Sequence, residues 1–102
     1  MIDLKTTQRF RLSDSYIVSH VGEETLLVPI SASTADMGRL RSLNNTGAAI
    51  MDCAVKGMGV GEIVDFIAAQ YNAADRVAVG RDVTRFLVQM VESGALAMSE
   101  QQ

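Results

Sequence analysis

One histidine and one cysteine set the ceiling on side-chain chemistry in this 102-residue chain. A nucleophile needs a base beside it. His20 falls inside the β-branched segment Tyr16-Ile17-Val18-Ser19-His20-Val21, and Cys53 falls on an apolar helical stripe. They read as a half-buried strand histidine and a small core thiol. No HxH or HExxH spacing joins His20 to carboxylates, so no metal site is expected. A single cysteine excludes an internal disulfide and any multi-cysteine metal site. Glu62 and Asp65 stand three apart on the solvent side of a helical stretch, where exposed acids are ordinary. Gly57-Met58-Gly59-Val60-Gly61 looks superficially like a phosphate loop. It lacks the lysine and Ser/Thr of a P-loop and joins two predicted helices instead of following a strand. These residues predict neither catalysis nor a cofactor.

The arginines say more. Arg81 and Arg85, four apart on one predicted helix, are surface neighbours. With Val77, Thr84 and Val88 they make a second stripe of apolar stems and positive heads, which charge alone reads equally well as a solvated face. Arg39 and Arg41 share one face of the short segment Met37-Gly38-Arg39-Leu40-Arg41-Ser42-Leu43, with Leu40 on the other. That segment runs directly into a helix start at Asn44, which predicts the last strand of a small sheet with one edge free. A free edge recruits other chains unless it is covered or used.

Three strands and three helices must position these groups. Residues 1–15 are weakly patterned and predict a partly ordered arm, flexible over 1–9, ending in the turn Ser13-Asp14-Ser15. Strands over 16–21 and 25–30 form a hairpin about Gly22-Glu23-Glu24. Pro29 has no N–H to donate, so it belongs at a strand end, a bulge or an unpaired edge. A small-residue loop over 31–36 leads to the third strand, 37–43.

The hydrophobic period then changes from two to that of a helix. Asn44 as N-cap and Gly57 as stop bound the first helix over 45–56, with Ile50, Cys53, Ala54 and Gly57 on one stripe. Gly59 opens the second, whose stripe is Val60, Ile63, Val64, Ile67 and Tyr71, and Asn72 ends it. Asp75 caps the third and longest, which Gly94 closes; Val79, Val83, Phe86, Leu87, Met90 and Val91 form its core face. The polar tail 99–102 is expected to fray. The layout β-β-β-α-α-α predicts one α+β domain over 1–102, a three-stranded antiparallel sheet packed on a three-helix bundle.

Composition narrows the function. The chain is 48% hydrophobic and 21% charged, which supports one core and argues against disorder. A net charge of −3 suits nucleic acid poorly, since binding it draws on many lysine and arginine contacts to phosphate. No apolar run is long enough to span a bilayer and no signal-peptide block opens the chain, so it reads as cytoplasmic.

Leu43-Asn44-Asn45-Thr46-Gly47-Ala48-Ala49-Ile50 resembles the strand-to-helix signature of the PqqD family. Val60-Gly61-Glu62-Ile63-Val64, then Tyr71, Asp82-Val83-x-x-Phe86-Leu87 and Gly94-Ala95-Leu96, follow in the family's order and spacing. The resemblance covers about residues 10–98. It implies a winged-helix-like domain of the kind called a RiPP recognition element. Such a domain binds the leader of a ribosomally made precursor peptide and presents it to a modifying enzyme, in the founding case a radical SAM protein of pyrroloquinoline quinone biosynthesis.

The implied mode is β-augmentation. The leader adds to the free edge of Met37, Gly38, Arg39, Leu40, Arg41, Ser42 and Leu43 and lies against the third helix. Its apolar residues enter a groove of Val77, Thr84 and Val88, while Arg39, Arg41, Arg81 and Arg85 meet its acids. Three departures stand out: Gly59 where a Thr or Ser cap is usual, a long loop over 31–36, and Arg39-Leu40-Arg41 where aromatic residues are frequent. The first predicts a weaker start to the second helix. Two other classes fit the same layout: a winged-helix DNA-binding regulator, and a structural accessory subunit of an enzyme. A second copy covering the strand edge, by pairing or domain swap, gives a homodimer.

Overall fold

The computed structural model describes residues 4–30, 40–72 and 74–99. Its elements run β1 (Arg9–Leu12), β2 (Tyr16–Val21), β3 (Glu24–Pro29), β4 (Arg41–Leu43), α1 (Asn45–Val55), α2 (Val60–Gln70), α3 (Arg76–Glu92) and β5 (Leu96–Ser99). Two antiparallel sheets result, β2-β3-β4 and β1-β5.

The hairpin forms about Gly22 and Glu23, with Val21 opposite Glu24 and Tyr16 opposite Pro29. Pro29 is the last residue of β3, where a missing N–H costs least. Alternation sorts the faces: Thr25, Leu27 and Pro29 turn inward, Leu26 and Val28 less so. His20 is exposed, not half-buried, with Nδ1 3.2 Å from Thr25 Oγ1.

Local signals set the helix ends. Asn44 Oδ1 accepts from the Gly47 N–H at 2.7 Å and Asp75 Oδ1 from the Ala78 N–H at 3.1 Å. Gly57 (φ 89°) and Gly94 (φ 87°) take the left-handed conformation just past α1 and α3. There Met58 N–H reaches Cys53 O and Ala95 N–H reaches Met90 O, satisfying carbonyls that a helix end leaves open. The core gathers Ile50, Met51, Ile63, Ile67, Val83, Leu87 and Met90 from the helices with Tyr16 and Leu27 from the hairpin. Each such apolar side chain contributes about 1.5–3 kcal/mol on burial. Tyr71, assigned to the α2 stripe, is instead 44% exposed just past its end.

The arm is the main correction. Residues 9–12 are a strand, not a loose lead-in, and pair with β5 from Arg9 opposite Ser99 to Leu12 opposite Leu96. Phe10 is 3% exposed and Leu96 2%, so both belong to the core. Ser99, assigned to the fraying tail, ends β5; residues 1–3 and 100–102 lie outside the described residues. The arm also answers the weak cap of α2. Val60 N–H donates to Gln8 O at 3.1 Å, Gly61 N–H to Thr6 O at 2.8 Å, and the Gly59 N–H to Glu62 Oε1 at 2.9 Å. Main-chain carbonyls of the arm thus do what a Thr or Ser side chain does elsewhere. Arg9 fastens the same corner, donating to Gly57 O and lying 3.7 Å from Glu62.

Candidate functional site

β4 is short because its pairing is short. Arg41, Ser42 and Leu43 oppose Leu27, Leu26 and Thr25 of β3. Among the described residues no strand lies on its other side. The predicted strand over 37–43 is therefore seen as Arg41–Leu43, with Leu40 exposed just before it; Met37, Gly38 and Arg39 lie outside the described residues. Leu43 leans on the core while Arg41 and Ser42 face solvent.

Asn44 then turns the chain into α1, and α3 crosses beside that turn. A cleft of about 440 Å³ opens between them. Ser42 and Leu43 line it from β4, Asn44, Thr46, Gly47 and Ile50 from the start of α1, and Asp82 and Phe86 from α3. Its floor is apolar and its rim polar. Gly47 lets α1 and α3 approach closely here: a Cβ there would stand 3.0 Å from Phe86 Cε1 and 3.1 Å from Asn44 Oδ1, so the ring would have to shift slightly. The two signature segments around Leu43–Ile50 and Asp82–Phe86, distant in sequence, meet in this cleft.

The α3 residues assigned to the groove are arranged differently. Gly80, Arg81, Thr84, Arg85, Val88, Gln89 and Glu92 line a shallow, open groove of about 630 Å³ along α3. At about 100° per residue, Thr84 and Val88 lie on the flank of α3 away from Asp82 and Phe86. The structure therefore brings β4 to Asp82 and Phe86 and not to Thr84 and Val88. Val77 is 79% exposed and lines neither space. Arg81 and Arg85 both line the shallow groove, and neither lines the cleft. Neither arginine is in an ion pair among the described residues, whereas Arg76 pairs with Asp65 of α2. Periodicity assigned Phe86 to the core face; only packing shows that it is half-buried and serves as the wall of a cleft.

The remaining chemistry is quiet. Cys53 is 5% exposed, and burial pushes its thiol above the ordinary value of 9.0; nearby Lys56 pulls down and Asp52 pushes up. Among the described residues no three His, Cys, Asp or Glu side chains gather as a metal site would need, and no helix is long and apolar enough to cross a membrane. An open backbone edge beside an apolar, polar-rimmed cleft is suited to holding an extended peptide.

A family model described as coenzyme PQQ synthesis protein D (PqqD) matches residues 20–96. A solved structure of TbiB1 in complex with the TbiA(beta) leader peptide is similar to this chain at 27% identity and a TM-score of 0.72, covering 89% of this chain and 99% of that one. A lasso peptide synthetase B1 complexed with the leader peptide shares the fold at a TM-score of 0.73 and 20% identity, over 87% of this chain and 98% of that one. No curated protein matches the chain.

Proposed function

The chain belongs to the PqqD family, and on that premise we propose that it is a non-catalytic peptide-binding domain that holds a precursor leader for a modifying enzyme. The leader adds as a strand on the free edge of β4 and sets one side chain into the cleft between Leu43 and Phe86. The observation that carries this reading is the β4 edge, unpaired among the described residues, whose Ser42 and Leu43 line that cleft. The fold it shares with two leader-bound structures supports it. Main-chain groups of residues 40–43 supply affinity with little sequence preference, and alternate leader side chains supply selection. Arg81 and Arg85 meet acidic leader residues that run past the cleft along α3. The enzyme served is a radical SAM protein or another peptide-modifying enzyme, in pyrroloquinoline quinone or related peptide biosynthesis.

Ordering a flexible leader offsets part of the contact energy, so affinity falls at micromolar to sub-micromolar, about −8 to −9 kcal/mol. Calorimetric titration of the full chain with synthetic leaders from short precursor genes beside its own tests this. Saturable one-to-one binding is the expected result. A chain that ignores every leader but shifts duplex DNA in a salt-dependent way belongs instead with DNA-binding regulators.

A further inference from the structure

The charge in the cleft has the opposite sign to the arginine stripe. Asp82 is exposed, lines the cleft, and is in no ion pair among the described residues. No lysine or arginine lines the cleft with it. Leu43 and Ile50 line the cleft beneath and Phe86 forms its wall, so a guest strand meets an apolar seat and one carboxylate. Asp82 and Phe86 are four residues apart on α3, a rise of about 6 Å along its axis. In a strand, residues two positions apart point to one face and lie about 6.6 Å apart. A strand laid along α3 therefore presents two consecutive inward side chains to Phe86 and Asp82 in register.

We infer that Asp82 is a specificity-determining residue that selects a lysine or arginine two positions from the leader's apolar anchor. The inference rests on the β4 edge being the leader site and adds the chemistry of the guest. The anchor seats over Phe86 and Leu43, and the basic residue donates to the Asp82 carboxylate by a charge-assisted bond. Leader acids are thereby confined to the outer flank of α3, where Arg81 and Arg85 line the shallow groove. The guest is of mixed charge, basic at the cleft and acidic beyond it.

The test is panning of a short random-peptide phage library against the full chain, followed by anisotropy with the peptides recovered. Lysine or arginine enriched two positions from an apolar residue is the expected pattern. Asp82→Lys, shown folded by circular dichroism, loses at least about tenfold in affinity for those peptides. Changing their basic residue to glutamate restores binding to Asp82→Lys, a rescue that general damage to the domain does not give. Apolar anchors recovered with no basic partner, or Asp82→Asn binding as wild type does, overturn the inference and leave the leader-binding reading standing. Recovery of no extended peptide at all overturns both. So does a chain whose own second copy fills the cleft, seen as a dimer by sedimentation that added peptide does not dissociate.

Discussion

Among the described residues the molecule has two small sheets that sit differently in the fold. β1 and β5 pack one face on the helices: Phe10 and Leu96 are core residues, and Thr6 and Gln8 give their carbonyls to the start of α2. Among the described residues the outer edges of β1 and β5 are unpaired too, but neither strand lines the cleft beside α3. β4, at the margin of the other sheet, has three residues, one partner strand among the described residues and an open cleft beside it. On the proposed reading, stability and recognition are drawn from different ends of one fold. The first sheet joins the two ends of the described chain on the core, and the margin of the second is the edge proposed to bind.

The sharpest way to break that division is to cut the closed side. Phe10→Ala removes a 3% exposed ring from the core and is expected to destabilise the chain by about 3–5 kcal/mol in urea unfolding. A loss below about 1 kcal/mol would mean the arm is only draped on the surface.

Gly47→Ala tests the open side. The new Cβ pushes Phe86 toward the cleft, while alanine's better helix propensity, up to about 1 kcal/mol, offsets the strain. Stability should stay near wild type while leader affinity falls about tenfold, or ~1.4 kcal/mol, by calorimetry. Affinity unchanged would remove Phe86 from the site.

Arg81→Glu probes the margin of the comparison, outside the cleft. Affinity for an acidic leader should fall about threefold to tenfold with the fold intact, and the loss should shrink at high salt. A salt-independent loss would point to packing by the arginine stem.

The smallest effect belongs to neither sheet. Burial raises the Cys53 thiol above 9.0, so the unfolded chain releases its proton first as pH rises. The stabilisation is fully present below that value and is lost as pH climbs through the folded-state value. Urea midpoints should therefore fall between about pH 8 and about pH 10, less so for Cys53→Ala. Equal slopes in both proteins would assign the fall to other groups.

Much of this was legible because it is local. Asn44, Gly57, Asp75 and Gly94 mark helix ends by chemistry confined to a few residues, and the hairpin from Tyr16 to Pro29 closes over one short turn. β1 and β5 were missed because their pairing joins Arg9 to Ser99, across nearly the whole chain. Phe10 and Leu12 do alternate with Arg9 and Arg11, yet four residues of alternation carry little weight without a visible partner. The candidate site was legible only in its parts. β4 and the arginine stripe could be read, but which flank of α3 faces β4 is decided by how α3 packs, and that favours Asp82 and Phe86 over Thr84 and Val88.

Amide hydrogen exchange across both sheets, with and without a saturating leader peptide, tests the central claim most directly. Added protection at residues 40–43, with β1 and β5 amides unchanged, is the predicted result. No gain at β4, or a gain confined to residues 9–12 and 96–99, would contradict strand addition at the open edge.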